Sequence, residues 1–151
     1  MPERFEFELV TPERLLLTQM VDMVVVPGSE GNFGVLAGHA PFISTIRPGI
    51  IDVYEGQAIT RRIFVVGGLA EVTPQRCTVL ADEALEPEAL DRAAIEADLQ
   101  TITGNLASLR EQVTRATDAD RERLLVEIRG LERDETVARA KLQALAAETA
   151  H

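Results

Sequence analysis

Every proline and every aromatic residue of this 151-residue chain lies within its first 87 positions. The last proline is Pro87 and the last aromatic residue is Phe64. Beyond Pro87 the chain is rich in alanine, leucine, arginine and glutamate, which are strong helix formers. Proline and glycine mark turns between strands, so the two parts are expected to form different kinds of secondary structure. We predict two domains, one over residues 1–86 and one over residues 87–151.

The first part contains short strand-like runs that are separated by turn residues. Phe5, Phe7 and Leu9 alternate with two glutamates, which is the period-two pattern of a strand with one buried face. Similar runs occupy residues 21–26, 50–54, 62–66, 69–72 and 77–80. Many short strands at close spacing are typical of an antiparallel β-sandwich or flattened barrel, and this is the fold class that we predict.

The second part has the apolar spacing of two helices. Apolar residues recur at intervals of three and four in two series: Ile95, Leu99, Ile102, Leu106, Leu109 and Val113, then Leu124, Ile128, Leu131, Ala138, Leu142 and Leu145. We expect Pro87 in the first turn of the first helix, and Thr117 or Asp118 as the cap of the second. The short connection predicts a C-terminal antiparallel two-helix hairpin. Its core is thin, so we expect it to be the less stable part.

Composition excludes several classes of function. The net charge of −10 opposes binding to a phosphate backbone, so no nucleic-acid partner is expected. Cys77 is the single cysteine, which rules out an intrachain disulfide. No apolar run is long enough to span a bilayer, and the N-terminus does not have the pattern of a signal peptide. His39 and His151 are the two histidines and have no metal-ligand spacing, so we expect His39 to hydrogen-bond locally in a turn.

The segment 27–49 interleaves glycine and proline with apolar residues, which predicts short strands joined by tight turns. Its characteristic strings are Pro27-Gly28-Ser29-Glu30-Gly31, Phe33-Gly34-Val35-Leu36, Gly38-His39-Ala40-Pro41 and Arg47-Pro48-Gly49. Thr11-Pro12-Glu13 precedes them, and residues 67–72 and 78–82 follow. Taken in this order, the strings resemble the epsilon subunit of bacterial F-type ATP synthases.

The resemblance implies a non-catalytic subunit of the central stalk, at the cytoplasmic face of the bacterial inner membrane. The implied partners are the gamma subunit and the c-ring, with the catalytic alpha and beta subunits as further partners of the hairpin, which restrains ATP hydrolysis in such proteins. The implied contact residues for the c-ring or gamma are Ser29, Glu30, Gly31, Asn32 and His39. The family resemblance implies no catalytic residue and no metal.

Some members of this family bind ATP through a Leu/Ile-Asp-x-x-Arg-Ala motif. Asp91 matches the motif, but its arginine and alanine positions hold Ala94 and Ile95, and Arg92 lies two residues early. On a helix this shift turns the guanidinium by roughly 200°. A nucleotide site at Asp91 and Arg92 is therefore disfavoured and no cofactor is expected. An ATP-sensing regulatory subunit is the alternative hypothesis, and a module that self-associates through its helical seams is a third.

Overall fold

A computed structural model describes residues 3–149 of the chain. The chain separates into two compact units, the first ending at Ala89 and the second beginning at Leu90. The first is built from strands and the second from two helices, which confirms the predicted fold class. The proposed boundary at 86/87 lies three residues before the division into compact units, and it stays a prediction.

Residues 3–89 of the first unit form ten strands. In chain order they are β1 (Phe5–Thr11), β2 (Arg14–Val21), β3 (Met23–Gly28), β4 (Gly31–Val35), β5 (Phe42–Ile46), β6 (Gly49–Glu55), β7 (Ala58–Val65), β8 (Gly68–Val72), β9 (Arg76–Ala81) and β10 (Ala84–Leu85). They are hydrogen-bonded in the order β10-β7-β6-β3-β5-β8-β9-β1-β2, with β4 paired to β3 beside this path. Paired strands are antiparallel, apart from β1 and β9, which are parallel.

One buried cluster joins residues from both ends of this strand order, including Leu9 of β1 and Ile63 of β7. The sheet therefore curls around a shared core, as a sandwich or flattened barrel does. The predicted alternation in β1 is confirmed, because Phe5, Phe7 and Leu9 are buried while the intervening side chains are half-buried. Burial of these apolar faces is the main source of stability for such a unit.

The strand β2 was absent from the sequence-based prediction. It begins Arg14-Leu15-Leu16-Leu17, a run without alternation, and Leu15 is exposed. As β2 ends the sheet order and pairs only with β1, one of its backbone edges faces away from the sheet. An edge strand is covered incompletely, so its burial does not impose a clear period of two on the sequence.

The start of the first helix differs from the prediction for Pro87. Pro87–Ala89 forms a separate 3-10 helix, and α1 runs over Arg92–Arg115. Asp91 has extended backbone angles, and its side chain accepts hydrogen bonds from the N–H groups of Ala93 and Ala94, so it is the N-cap. The prediction that Pro87 lies in the first turn of the helix was therefore wrong, because the capping aspartate sets the start.

The helix α2 spans Asp118–Thr149, after a connection at Ala116 and Thr117. Leu106 of α1 and Leu124, Ile128 and Ala138 of α2 are buried, which confirms the predicted apolar seams. Arg110 of α1 forms an ion pair with Glu132 of α2 at 3.2 Å. This pair is exposed, so it contributes little to stability and the narrow seam carries the packing.

Candidate functional site

The turn that joins β3 to β4 is a tightly constrained surface feature of the first unit. Gly28 pairs with Gly31, which leaves Ser29 and Glu30 as a two-residue tip. Both tip residues are exposed. Gly31 has a φ of +138°, a backbone angle that residues with side chains rarely adopt. Glycine at this position therefore fixes the path of the turn.

The turn is tied to β5 and to the residue that follows it. The Ser29 N–H donates to the Thr45 carbonyl at 2.9 Å, and the two hydroxyl groups of these residues lie 2.7 Å apart. The Arg47 guanidinium donates to the Gly28 carbonyl and, at 2.6 Å, to the side-chain oxygen of Asn32. These bonds connect both strands of the hairpin to Thr45 and Arg47 and thereby restrain the tip.

Close packing beneath the turn depends on Gly28. A Cβ atom at this position would lie 2.9 Å from the ring of Phe33 and 2.8 Å from the Gly31 carbonyl oxygen. Such distances require a shift of the backbone or of the half-buried Phe33 ring. The Phe33 ring can pack this closely against the hairpin only because residue 28 has no side chain.

The Glu30 carboxylate at the tip has no hydrogen bond or ion pair to any residue between 3 and 149. It therefore presents a free negative charge at the end of a fixed turn. A carboxylate in that position can accept hydrogen bonds from backbone or side-chain donors of a neighbouring protein.

His39 belongs to the same surface through two aromatic rings. Its Nδ1 lies 2.7 Å from the Ala40 carbonyl oxygen, which requires the Nδ1–H tautomer as the donor, and this confirms the predicted local hydrogen bond. The His39 ring is 6.3 Å from the ring of Phe42, which meets Phe33 edge-to-face at 5.3 Å. Since Phe33 packs under the turn, the aromatic rings connect His39 to the tip.

Apolar side chains lie exposed in the segment that carries His39. Leu36 is 57% exposed, Phe42 44% and Ile43 65%. A concentration of exposed apolar side chains beside a fixed polar turn is typical of a protein–protein contact. Phe33, Phe42, Thr45 and Arg47 were not among the predicted site residues, because their contribution depends on contacts across the sheet.

The two residues considered for nucleotide binding lie in the second unit. Asp91 caps α1 through hydrogen bonds of 3.1 and 3.3 Å to the N–H groups of Ala93 and Ala94. Arg92 lies 3.9 Å from Glu96 in an exposed pair one helical turn apart. Both contacts belong to an ordinary helix start. The expectation that no ATP binds here stays a prediction.

The single cysteine lies away from this surface, in the buried core of the first unit. Cys77 is buried, and burial raises the pKa of its thiol to about 12, so the sulfur stays protonated and shielded at neutral pH. Within residues 3–149, no three histidine, cysteine or acidic side chains are placed to hold a metal ion. Over the same residues, neither helix combines the length and apolar character needed to cross a bilayer.

Comparison with known proteins gives a consistent match. Residues 4–87 match the family model described as ATP synthase, Delta/Epsilon chain, beta-sandwich domain. The chain is 49% identical over 150 residues to the ATP synthase epsilon chain of Rhodospirillum centenum, covering 98% of this chain and 96% of that one. It is 51% identical over 119 residues to the epsilon chain of Rhodospirillum rubrum, covering 79% of this chain and 89% of that relative.

Similarity in structure extends to a more distant protein. A chain in the Euglena gracilis mitochondrial ATP synthase, from a structure of OSCP, F1 and the c-ring, superposes with a TM-score of 0.66. The match has 21% sequence identity and covers 96% of this chain and 83% of that chain. At this identity the likeness concerns the fold.

Proposed function

The chain belongs to the ATP synthase epsilon chain family, and from this premise we propose that it is a non-catalytic rotor subunit that links the gamma subunit to the c-ring. In this role the protein transmits torque and performs no bond chemistry of its own. The proposed location is the cytoplasmic face of the bacterial inner membrane, where the chain is held through its partner subunits.

The rigid Ser29-Glu30-Gly31-Asn32 turn carries this proposal. Torque passes through a contact only if the contact surface keeps its shape under load. The turn meets this requirement, because Arg47 bonds to both strands of the hairpin and Ser29 bonds to Thr45. The unpaired Glu30 carboxylate supplies an acceptor for polar loops of the c-ring.

His39 and the exposed apolar residues Leu36, Phe42 and Ile43 extend the proposed contact away from the tip. Apolar side chains at the centre of an interface contribute most of its binding free energy. This surface is therefore suited to a stable contact with gamma or the c-ring, and the turn would fix the orientation of that contact.

The helical hairpin is proposed to restrain ATP hydrolysis by contacting gamma and the catalytic alpha and beta subunits. Its second helix offers six basic residues against eight acidic ones over 118–151, a mixed surface that forms no basic stripe. This part of the proposal is supported by the small number of buried side chains between the two helices. Because few contacts are lost, the helices can separate or rearrange at a small cost in free energy.

Crosslinking in the assembled ATP synthase tests the contact at the turn. The variant Glu30→Cys is labelled with benzophenone maleimide and irradiated, while the native Cys77 thiol is buried and stays unlabelled. A matched control is Gln57→Cys. Since Met23 pairs with Tyr54, the turn after β6 lies at the opposite end of β3 from the Ser29-Glu30 tip.

We expect a covalent product between the Glu30→Cys chain and a c subunit, and none between the Gln57→Cys chain and a c subunit. Mass spectrometry identifies the crosslinked partner. If the c subunit is crosslinked to position 57 but not to position 30, the proposed contact is wrong and the opposite end of the sandwich faces the c-ring.

A further inference from the structure

The first unit has a cavity where the two edges of its curled sheet approach each other. The strands β2 and β10 are the two ends of the strand order, and the cavity is lined by residues of β1 and β2 on one side and of β7 and β10 on the other. Its volume is about 270 Å³. We call this space the seam cavity. All of its lining residues belong to the first unit.

Apolar side chains form the base of the seam cavity, while polar groups make up the larger part of its accessible surface. Leu9 and Ile63 at its base belong to the buried core, and Leu17 and Ala84 are half-buried residues that pack against that core. Its charged lining residues are Arg14, Arg61 and Glu86, and all three are exposed. The cavity thus combines a hydrophobic floor with a charged rim.

The two arginines of the rim differ from the other arginines of the first unit. Four of the six arginines between residues 3 and 89 have polar partners: Arg4 with Asp22, Arg62 with Asp52, Arg76 with Glu6, and Arg47 with Asn32. Arg14 and Arg61 form no ion pair or side-chain hydrogen bond with any residue from 3 to 149. The arginines without partners are therefore the two that line the seam cavity.

This arrangement gives a local positive charge in an acidic protein. The chain carries a net charge of −10, yet the rim of the seam cavity carries two positive groups and one negative group. A guanidinium binds a carboxylate or phosphate through paired N–H donors, and the attraction is stronger beside an apolar wall that excludes water.

We propose that the seam cavity binds a small oxyanion that carries a short aliphatic body. The aliphatic part lies against Leu9, Leu17 and Ile63, and the oxyanion meets Arg14 and Arg61 at the rim. The volume is just below the usual range for drug-sized ligands, so a body of a few carbon atoms fits better than a nucleotide. This site is separate from the turn at Ser29-Glu30 and does not depend on the rotor role.

Methyl NMR of the full-length protein tests the proposal with three probes. Hexanoate has both the oxyanion and the aliphatic body, hexanol lacks the charge, and inorganic phosphate lacks the body. We expect hexanoate to shift the methyl signals of Leu17 and Ile63 in a saturable way, at concentrations where hexanol and phosphate do not. If hexanol binds as tightly as hexanoate, or if none of the probes shifts these signals, the proposal is wrong.

Variants at the rim separate the two arginines from a general charge effect. We expect Arg14→Gln and Arg61→Gln each to weaken hexanoate binding by at least about fivefold, in line with the loss of a charge-assisted hydrogen bond. Arg62→Gln is the matched control, because Arg62 is adjacent in sequence, has the same charge and does not line the cavity. Equal weakening by all three variants would assign the effect to net charge and overturn the proposed site. Circular dichroism checks that each variant is folded.

Discussion

The two units of this protein differ in how deeply they bury their side chains. In the sandwich, large residues such as Phe7, Phe64 and Ile51 have no exposed surface. In the hairpin, Leu106 is 1% exposed, while the other buried residues, such as Leu124 and Ile128, are 6% to 8% exposed. A curled sheet encloses a volume, whereas two helices meet along a line. The sandwich is therefore suited to hold a fixed surface, and the hairpin is suited to change its conformation.

The glycines of the two units also differ in their surroundings and backbone angles. Gly28, Gly31 and Gly68 in the sandwich lie in close contacts or at backbone angles that exclude a side chain. Gly104 and Gly130 in the helices face open space and have ordinary helical angles. The sandwich uses glycine to set its geometry, while the hairpin only loses helix stability from it.

The largest effect is expected from Gly68→Ala in the sandwich. Its φ is +132°, and an added Cβ atom would lie 2.0 Å from the Leu80 carbonyl oxygen across the β8–β9 pair. Strain and the forced backbone shift should lower the free energy of unfolding by about 4 kcal/mol or more. Thermal denaturation followed by circular dichroism measures this loss. A variant with native stability would contradict this prediction, because it would show that the β8–β9 pair accommodates a Cβ atom at residue 68.

The next largest effect is expected from Leu106→Ala, which removes the most deeply buried side chain of the hairpin. Loss of this contact should cost about 3 kcal/mol and melt the helices while the sandwich stays folded. Helical circular dichroism reports on the hairpin, and the reactivity of Cys77 with a thiol reagent reports on the sandwich. Phe7→Ala is the control and should expose Cys77 instead. If both probes change together in both variants, the two units do not unfold separately.

Alkaline pH should weaken the sandwich through Cys77. Burial raises the pKa of its thiol from 9.0 to about 12 in the folded state, so the unfolded chain loses this proton first. The stabilising contribution is present below pH 9 and declines as the pH rises toward 12. Between pH 9 and 11, the free energy of unfolding should fall by about 2 kcal/mol more than in Cys77→Ala. Urea denaturation measures the free energy of unfolding at each pH. If this free energy falls equally with pH in both proteins, the thiol does not contribute to the pH dependence.

The smallest effect is expected from Gly104→Ala in the hairpin. The new methyl group meets no atom within 4 Å outside its own helix, and alanine favours the helix more than glycine does. We expect a gain of about 1 kcal/mol in hairpin stability. Hydrogen exchange of the α1 amide groups should slow, while that of the sandwich stays unchanged. Faster exchange in α1 would mean that residue 104 makes a close contact with a neighbour.

The amino-acid sequence predicted the fold to the extent that its patterns were local. The alternation in Phe5, Phe7 and Leu9 and the apolar seams of the helices are local patterns, and the structure confirms them. The start of α1 was wrong because Pro87 is an equally good residue for a preceding 3-10 helix. The strand β2 was missed because an edge strand carries no clear alternation.

The candidate site was predicted at the turn residues and at His39, but not at the residues that support them from other strands. Ser29, Glu30, Gly31 and Asn32 follow one another, so a turn motif is visible in the sequence. The supporting contact from Arg47 to Asn32 crosses fifteen positions and depends on how β3 and β5 pair. Such contacts are set by the register of the sheet, which a single sequence does not specify.

The central claim is that the sandwich carries the coupling contacts and the hairpin does not. The most direct test measures proton-driven ATP synthesis in vesicles that contain the assembled enzyme. One version of the chain lacks residues 90–151, and the other carries Glu30→Trp with Gly31→Val. Protection of Cys77 from a thiol reagent checks that the sandwich is folded in both.

We expect the truncated chain to support synthesis near the native rate and the turn variant to lower it by about tenfold, as for loss of a central interface contact. The φ of +138° at Gly31 is the reason that a branched side chain there should distort the surface that we propose contacts the c-ring. If the truncated chain uncouples the enzyme while the turn variant synthesises ATP at the native rate, the assignment of roles to the two units is wrong.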